Sequence, residues 1–281
     1  MLKIRNLELR NRFFLSPMLE PNDIAFRLLC KRAGAALTYT GMVNPLSKQK
    51  IYFDDEPALQ LFGATPKGIK EFIKKHDSKV SLWDFNLGCP SKLSRKLAHG
   101  AFMHRDFENI EAILKTMRDS TEKPVSIKLR KSPQALDIVR IANKYCDLIG
   151  IHARTSEQGY SGKADYSYAL KVKGASKVPV IYSGDVNLEN YKKILKDFDF
   201  VFVGRAAVGN PGIFSEFLGK SCALDFFDYL ELAKKYELQF RNAKYHAMQF
   251  SKGLFNGASI RRKIMMAKTF DELSFAMKTN K

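Results

Sequence analysis

Cysteine is scarce in this sequence, and its four copies lie far apart. Cys30, Cys89, Cys146 and Cys222 occur in 281 residues, and no two of them form a C-x-x-C pair. Zinc sites and small disulfide-stapled domains need cysteines at short, regular spacings. We therefore predict neither a metal site nor a disulfide framework. Cys30 and Cys146 fall within helical patterns, which assigns them to the core.

Long hydrophobic runs are also missing. No apolar stretch approaches the ~20 residues that span a bilayer, and the N-terminal segment MLKIRNLELR lacks the apolar core of a signal peptide. These two absences predict a cytoplasmic protein that does not contact a membrane.

Acidic residues are few compared with basic ones. The chain has 47 Lys and Arg against 29 Asp and Glu, which gives a net charge of +18 and an isoelectric point near 9.7. Within 220–281 the count is 12 against 6, so the excess is not confined to one part of the chain. Such an excess favours a polyanionic partner such as a nucleic acid. A generally lysine-rich surface is the alternative that charge alone leaves open.

Strand and helix patterns alternate along most of the chain. Short runs rich in β-branched and aromatic residues are each followed by a turn and an amphipathic segment. The predicted strands are 13–18, 36–41, 58–63, 81–88, 125–130, 147–153, 179–184 and 199–204. The predicted helices between them are 22–34, 66–76, 106–119, 133–146, 166–174, 187–197 and 211–218. The interval 42–57 is the exception and is predicted to be a loop insertion.

Eight such alternations predict an α/β fold, a (β/α)8 TIM barrel, over 1–220. A doubly wound sheet usually has a Gly-rich turn after its first strand, whereas this sequence has the segment PMLEP at 17–21. Beyond the barrel the strand patterns stop, and helices are predicted within 222–250 and over 260–270. We therefore predict that a small C-terminal all-α helical domain, 221–281, follows the barrel.

The residues at the predicted carboxyl ends of the strands are polar, as the active site of a barrel requires. Amides, cations and glycines dominate, and no two carboxylates are spaced to hold a divalent metal or to hydrolyse a glycoside. This set suits a planar, anionic, hydrogen-bonding ligand. The strand-end residues are Ser16, Pro17, Met18, Gln60, Asn86, Cys89, Lys128, Arg130, His152, Arg154, Ser183, Gly184, Asp185, Gly204 and Arg205.

The last two predicted strands carry a candidate phosphate site. Barrel enzymes frequently bind phosphate in the loops after strands seven and eight. There the segments SGDVN and GRAAVGN supply glycines for close backbone approach, and Arg205 supplies a positive charge.

Three of the strand-end residues allow two interpretations each. Lysine is rare at an inward strand position without a partner, so a functional role is favoured for Lys128. Gln60 is explained equally by the capping of a loop, and His152 alone by a hydrogen-bonded place in the core. The position of His152 opposite Lys128 and beside Arg154 favours a functional site for it as well.

Cys89 stands where a strand ends and a helix cannot begin at once. Pro90 prevents a direct turn into a helix, and Gly88 lets the backbone approach a ligand closely. The loop that follows contains Arg95 and Lys96 among its basic residues, a setting that suits a reactive thiol or a bound phosphate. A nucleophilic cysteine needs a nearby base, whereas a proton donor needs only position. Both roles remain open at this point.

In their order and spacing, these motifs resemble those of the tRNA-dihydrouridine synthases. The similarity runs from about residue 12 to 215 and extends into the helical domain through His246, Phe250 and the segment KGL at 252–254. The motifs that carry it are, in chain order, Pro17-Met18, Gln60-Leu61-Phe62-Gly63, Asn86-Leu87-Gly88-Cys89-Pro90, Lys128, Ile151-His152-Ala153-Arg154-Thr155, Ser183-Gly184-Asp185 and Gly204-Arg205.

The resemblance implies an FMN-dependent barrel in which uridines of tRNA are reduced to 5,6-dihydrouridine. FMN would be tightly bound, NADPH or NADH would reduce it, and the flavin would give hydride to C6 of the uracil. Cys89 would be the proton donor to C5. The cofactor-binding residues would be Ser16, Pro17, Met18, Gln60, Lys128, His152, Ser183, Gly184, Asp185, Gly204 and Arg205.

The partner that the resemblance implies is tRNA, which a monomer would bind. The target uridine has to leave its stack to enter a barrel, which requires a basic surface around the mouth. The residues expected to contact the uracil or the tRNA are Asn86, Arg95, Lys96, Arg154, Lys244, Lys252, Arg261 and Arg262.

Four segments depart from the family pattern. The segment LEPND at 19–23 stands where the family commonly has A-G-V-T-D, and Ala153 and Ser183 replace Gly and Asn in two later motifs. Lys244 and Tyr245 stand where Arg-Lys is common. The last departure bears on tRNA binding and on the choice of uridine position.

Two other functions are compatible with parts of the sequence. One is an FMN-dependent barrel oxidoreductase acting on a free small molecule of the dihydroorotate or enoate type, which leaves the net charge and the basic helical segment unexplained. The other is a non-catalytic RNA-binding or chaperone protein, which leaves the cofactor residues and Cys89 unexplained. The uridine position and the choice between NADPH and NADH remain open.

Overall fold

Short apolar runs form the strands of a parallel barrel. The structure, a computed structural model, describes residues 2–19 and 22–278. Eight strands of this part of the chain form one parallel sheet, and two more form a hairpin ahead of it. The ten strands are β1 (Leu2–Ile4), β2 (Leu7–Leu9), β3 (Phe13–Leu15), β4 (Leu37–Thr38), β5 (Ala58–Leu61), β6 (Leu82–Leu87), β7 (Val125–Arg130), β8 (Leu148–His152), β9 (Val180–Ser183) and β10 (Phe200–Val203).

The large sheet closes on itself. Its strand order is β4-β3-β10-β9-β8-β7-β6-β5, and every paired neighbour is parallel. Isolated parallel bridges from Tyr39 to Ala58 and from Val43 to Leu61 connect the two edge strands, β4 and β5. Each predicted strand corresponds to one barrel strand, so the predicted α/β TIM barrel is confirmed.

An N-terminal hairpin, which the sequence patterns did not predict, covers the amino end of the barrel. Strands β1 and β2 pair antiparallel. Ile4 and Leu9 are buried against inward-facing barrel residues that include Phe14, Leu148 and Phe200. Each strand of the hairpin is only three residues long, which is too short for a two-residue periodicity to stand out in the sequence.

Helices cover the outside of the barrel and continue beyond it. The first eight are α1 (Ile24–Arg32), α2 (Ile69–His76), α3 (Lys92–Lys96), α4 (Phe107–Arg118), α5 (Ala135–Tyr145), α6 (Tyr166–Ala175), α7 (Tyr191–Asp197) and α8 (Ile213–Phe217). All seven predicted barrel helices are present, and 42–57 is a loop as predicted. Several helices begin two to four residues late because turns and caps such as Asp23 precede them. None of the helices in residues 2–19 and 22–278 has the length and apolar character needed to cross a bilayer.

The C-terminal segment is helical, but its last helices differ from the prediction. The four helices are α9 (Phe226–Lys235), α10 (Phe240–Phe250), α11 (Gly257–Met266) and α12 (Phe270–Lys278). The helix predicted over 260–270 was wrong in its bounds, and α12 was not predicted. Thr269 separates the two helices because its hydroxyl accepts from the Glu272 N–H (3.2 Å) while the Glu272 carboxylate accepts from the Lys268 N–H (2.8 Å). The Thr269 hydroxyl thus N-caps α12, while Glu272 bonds back to the residue before the cap, and this variant of the capping box starts a new helix.

A buried polar contact joins the C-terminal helices to the barrel helix α1. Asp23 caps α1 through the Phe26 N–H, and its carboxylate also accepts from the Tyr229 hydroxyl at 2.9 Å. Nε2 of the fully buried His246 lies 3.4 Å from the same carboxylate. Burial would raise the pKa of Asp23, but these partners hold it below its usual value. The division of the chain at residue 220 stays a prediction, because α1, α9 and α10 share one core.

Candidate active site

A cleft opens at the carboxyl ends of the barrel strands. Its volume is about 740 Å³, within the range of ~300–1,000 Å³ that small-molecule and cofactor sites occupy. All eleven residues predicted to bind the cofactor line it, and so do Asn86, Cys89 and Arg154. The barrel therefore brings together residues that extend from Ser16 to Arg205 in the sequence.

Strand alternation explains which side chains enter the cleft. On β7, Lys128 and Arg130 line the cleft, whereas Ile127 and Leu129 belong to the core between the barrel and its helices. Successive residues of a strand point to opposite faces. A residue two positions from a known cleft residue therefore lies on the same inner surface of the barrel.

Asn86 holds the turn that carries Cys89. Its Oδ1 accepts hydrogen bonds from the backbone N–H groups of Gly88 (3.1 Å) and Cys89 (2.9 Å). Gly100 lies so close that an added Cβ would be 2.8 Å from the Cys89 carbonyl oxygen, and its φ of +63° also favours glycine. Cys89 remains partly exposed. The thiol is thus held in the wall of the cleft, where a ligand can reach it.

Lys128 brings a positive charge into the barrel. Among residues 2–19 and 22–278 no acidic side chain forms an ion pair with it, and its Nζ lies 5.9 Å from the centre of the Phe202 ring. Gly150 makes room for both side chains, since an added Cβ would lie 2.8 Å from the Phe202 ring and 3.5 Å from Cγ of Lys128. The ammonium is therefore available to a ligand.

Burial and neighbouring charges together set the pKa of Lys128. Burial, aided by Arg130, lowers the pKa of Lys128 to about 8, and Asp84 and Cys89 act in the opposite direction. The side chain is therefore mostly protonated at neutral pH.

His152 lies between two arginines and is neutral. A guanidinium nitrogen of Arg154 lies 3.2 Å from its Nε2, and one of Arg130 lies 3.5 Å from its Nδ1. Burial, together with Lys128 and the surrounding arginines, lowers the pKa of His152 to about 2. At physiological pH His152 is therefore uncharged and acts as a hydrogen-bonding group.

Asp185 links two arginines at the far end of the cleft. One carboxylate oxygen accepts from Arg154 and the other from Arg205. Although burial opposes it, the two guanidiniums hold the pKa of Asp185 below its usual value. Gly184 comes just before, and an added Cβ there would lie 2.7 Å from Ala164. One carboxylate faces two guanidiniums, so positive charge remains for an anionic ligand.

Arg130 is a site residue that the sequence prediction noticed at a strand end but gave no role. It is 2% exposed, and it donates to the carbonyl oxygens of Gly88 (3.0 Å), Thr155 (2.7 Å) and Gly159 (2.8 Å). These bonds connect the Cys89 turn to the loop after β8. The two-residue spacing from Lys128 was the signal that pointed to it.

The rim of the cleft carries two tyrosines, of which the sequence prediction did not name Tyr160 and did not place Tyr245 in the cleft. Tyr160 is 62% exposed, and its ring lies 5.2 Å from the Arg205 guanidinium and 5.8 Å from that of Arg130. Tyr245 reaches the cleft from α10. The C-terminal helices thus form part of the wall, which no local sequence pattern indicated.

The residues predicted to contact tRNA fall into two groups. Asn86 and Arg154 lie in the cleft, and the other six lie outside it. Arg95 and Lys96 are exposed on α3, in the loop after Cys89, and the Arg95 guanidinium lies 5.0 Å from the Phe102 ring. The four residues of the C-terminal segment do not line the cleft: Lys244, Lys252, Arg261 and Arg262.

Lys244 already has partners inside the helical segment. Its ammonium donates to the carbonyl oxygens of Met265 and Ala267 at the end of α11. Lys252 and Arg262 are exposed, and Arg261 is half-buried with a 3.3 Å contact to the Ser251 carbonyl oxygen. The Leu19–Asp23 departure lies partly outside the described residues, since Glu20 and Pro21 are not described.

The chemistry of the cleft is that of amides, cations and one thiol. No group of three or more His, Cys, Asp or Glu side chains in the described ranges is arranged to hold a metal ion. The site is able to bind a planar polar molecule with an anionic end, and Cys89 is able to give it a proton.

Solved structures of other proteins share this architecture. An old yellow enzyme homologue from Zymomonas mobilis has a TM-score of 0.56 at 12% identity, with 87% of this chain and 97% of that chain covered. Morphinone reductase in complex with tetrahydroNAD has a TM-score of 0.52 at 14% identity, with 81% and 92% covered. At such low identity the likeness shows the barrel fold alone.

Sequence comparison places the chain in a family. A family model described as dihydrouridine synthase matches residues 14–276. The probable tRNA-dihydrouridine synthase of Rickettsia bellii is 33% identical, and the match covers 77% of this chain and 73% of that protein. The probable tRNA-dihydrouridine synthase of Aquifex aeolicus is 31% identical, and the match covers 94% of each. The tRNA-dihydrouridine synthase B of Vibrio vulnificus is 30% identical, with 76% and 73% covered. The motif resemblance is thereby confirmed, and the chain belongs to the dihydrouridine synthase family.

Proposed function

We propose that this protein reduces specific uridines of tRNA to 5,6-dihydrouridine, with FMN as its cofactor and NAD(P)H as the reductant. The observation that carries the proposal is that Cys89 and Lys128 line one cleft at the mouth of a barrel whose chain belongs to the dihydrouridine synthase family. A positioned acid and a cation beside the ring are what such a reduction needs from the protein.

The residues of the cleft fit FMN. Lys128 offers an ammonium without an ion-pair partner in the described chain, and Gln60 offers an amide, so together they suit the polar edge of an isoalloxazine. Met18 and Phe202 supply apolar surface. At the other end Arg205 is half exposed, which suits a phosphate. The remaining residues proposed to hold FMN are Ser16, Pro17, His152, Ser183, Gly184, Asp185 and Gly204.

The protein's own part in the reaction is orientation and one proton. When bound and reduced, FMN supplies hydride to C6 of the uracil. Sγ of Cys89 gives its proton to C5, and the turn held by Asn86 keeps the thiol in place. His152, being neutral, hydrogen-bonds without competing as an acid. Arg154 and Asn86 line the space beside the thiol, where the uracil would lie.

We propose that 221–281 is the tRNA-binding domain. Tyr245 of α10 lines the cleft, so a tRNA held on these helices would lie next to the opening. The basic excess in 220–281 and the exposed Lys252 and Arg262 support binding to phosphates. The exposed ring of Tyr160 offers a stacking surface at the same opening for a base that has left the tRNA stack.

The proposal is tested by following flavin oxidation without oxygen. The purified protein is reduced with NADPH, unmodified tRNA is added, and the flavin absorbance is recorded. Reoxidation by tRNA but not by free uridine, with dihydrouridine in the recovered tRNA, is the expected result. A protein that takes up no FMN contradicts the cofactor assignment. A reduced flavin that tRNA leaves reduced, while a small enoate reoxidises it, contradicts the substrate assignment.

A further inference from the structure

Asp84 is a buried carboxylate beneath the cleft that the proposed reaction does not use. It lies on β6, two residues before Asn86, and is 1% exposed. A carboxylate is rarely this buried unless its partners compensate for the lost water. Here no arginine or lysine of the described chain forms an ion pair with it. The partners are neutral donors instead.

Those donors begin a chain of hydrogen bonds that ends at Cys89. Oδ1 of Asp84 accepts from the Ser126 hydroxyl, and Oδ2 accepts from Nε2 of Gln60 at 2.6 Å. Oε1 of Gln60 accepts from Nδ2 of Asn86 at 2.8 Å. The other end of the Asn86 amide, Oδ1, accepts from the Cys89 N–H.

The two ends of this chain leave the amides only one orientation. A carboxylate can only accept hydrogen bonds, and a backbone N–H can only donate them. Gln60 therefore has to turn Nε2 toward Asp84, and Asn86 has to turn Oδ1 toward the Cys89 turn. A flipped Gln60 would place its oxygen against the carboxylate and its NH2 against the NH2 of Asn86. One Nε2 hydrogen of Gln60, which lines the cleft, then remains for a ligand.

The same carboxylate is the acidic group that favours the charged form of Lys128. In the β6–β7 register Asp84 pairs with Ser126 and Asn86 pairs with Lys128, so Asp84 and Lys128 are diagonal neighbours on the inner surface. The Cys89 thiol acts in the same direction, whereas burial and Arg130 favour the neutral amine. The other nearby groups do not replace Asp84 in this role: His152 is neutral, and Asp185 already pairs with Arg205.

We propose that Asp84 is a positioning residue of the flavin site, whose carboxylate orients the Gln60 amide and keeps Lys128 protonated so that both donate hydrogens to the polar edge of the flavin. The inference rests on the proposed function, because it takes FMN to be the ligand of the cleft. It adds a residue that contacts neither flavin nor uracil.

The variant that tests the charge is Asp84→Asn. The asparagine oxygen still accepts from Gln60, and its NH2 turns to the Ser126 oxygen. The shape of the side chain and the series of hydrogen bonds are therefore kept, and only the negative charge is lost. The flavin-loaded protein is diluted at a series of pH values, and released FMN is measured by its fluorescence. In the wild type, release is expected to rise as Lys128 loses its proton near pH 8. In Asp84→Asn the midpoint should fall by about one pH unit, which weakens binding about twofold at pH ~7 and about tenfold above pH ~8.

Lys128→Arg provides a second, independent measurement, because arginine keeps its charge throughout this range. The release transition near pH 8 should disappear in this variant, and adding Asp84→Asn should not restore it. If Lys128→Arg keeps the transition, the inference is overturned whether or not Asp84→Asn folds. Asp119→Asn, which changes an exposed carboxylate paired with Lys115, is the matched control and should behave as wild type.

The remaining outcomes separate the inference from the proposed function. Asp84→Asn that releases FMN with the wild-type midpoint overturns the inference alone, even if its thermal stability is lowered, since a purely structural role predicts that pattern. A wild-type protein that binds no FMN overturns the proposed function, and the inference with it.

Discussion

At the scale of single residues, the four cysteines show how far sequence reasoning reaches. Cys30 and Cys146 are buried as predicted, and burial raises the pKa of both thiols far above the usual value. Cys89 is partly exposed and lies in the cleft. Its Gly-Cys-Pro context was enough to single it out. The sequence did not reveal that Asn86 and Gly100 hold its turn, because Gly100 meets Cys89 only through the path of the folded loop.

Replacing Cys89 with alanine should abolish most of the activity while leaving the cofactor in place. Only the proton donor is removed, so FMN content and tRNA affinity should stay at wild-type values while the rate of dihydrouridine formation falls by about 100-fold or more. Single-turnover reoxidation of the reduced flavin by tRNA measures the rate. Cys222→Ala is the matched control. A wild-type rate for Cys89→Ala would show that another group is the acid.

Replacing Lys128 with methionine should stabilise the flavin-free protein at neutral pH. Burial lowers the pKa of Lys128 to about 8 from 10.5, so below pH 8 the native state has to carry a buried charge that the unfolded chain carries in water. The cost is fully present there and fades as the pH rises through 8 toward 10.5.

Thermal unfolding of both proteins at pH ~7 and ~10 measures the effect, and the advantage of the variant should shrink at the higher pH. Lys115→Met, which removes a surface ion pair with Asp119, should show no such gain. A difference that is independent of pH would contradict the assignment of Lys128 as a buried titrating group.

At the scale of elements, local pattern predicted the barrel strands and helices because each has a periodicity of its own. The errors lie where that periodicity is absent. The hairpin Leu2–Ile4 and Leu7–Leu9 is too short to show one. The break between Gly257–Met266 and Phe270–Lys278 depends on the N-cap at Thr269, and its Thr-x-x-Glu spacing is a signal separate from the helical periodicity.

Replacing Leu9 with alanine should destabilise the barrel although Leu9 is far from the cleft. Leu9 is 1% exposed and packs into the amino end of the barrel. A buried leucine changed to alanine usually costs ~2–5 kcal/mol. Urea unfolding measures the loss, and Leu2→Ala, at 39% exposure in the same hairpin, should cost less than ~0.5 kcal/mol. Equal effects of the two changes would show that the hairpin does not seal the barrel.

At the scale of the whole molecule, the net charge and the placement of the C-terminal helices set the surroundings of the cleft. The net charge of +18 was readable from composition. The contribution of Tyr245 to the cleft wall was not, because it depends on how α10 packs against α1 through Asp23 and His246. Of the residues predicted to contact tRNA, Lys244 instead donates a hydrogen bond to the Met265 carbonyl oxygen at the end of α11.

Replacing Lys252 and Arg262 together with alanine should weaken tRNA binding without affecting FMN. Both are exposed, so each is free to meet a phosphate. Each cation that neutralises a phosphate contributes about one to the slope of log affinity against log salt, so the double variant should reduce this slope by about two. Filter binding over a salt series measures this slope. The matched control is Lys115→Ala with Lys144→Ala, both ion-paired on barrel helices. An unchanged slope would exclude Lys252 and Arg262 from the tRNA-binding surface.

The sequence by itself determined the kinds of element, their order and the residues at the strand ends, because periodicity and turn residues act over a few neighbouring positions. The tertiary structure alone decided that His152 is neutral between Arg130 and Arg154 and that Asp84 orients Gln60. These contacts join residues on different strands, and the stagger and closure of the barrel set which side chains meet. Local pattern carries no information on that stagger.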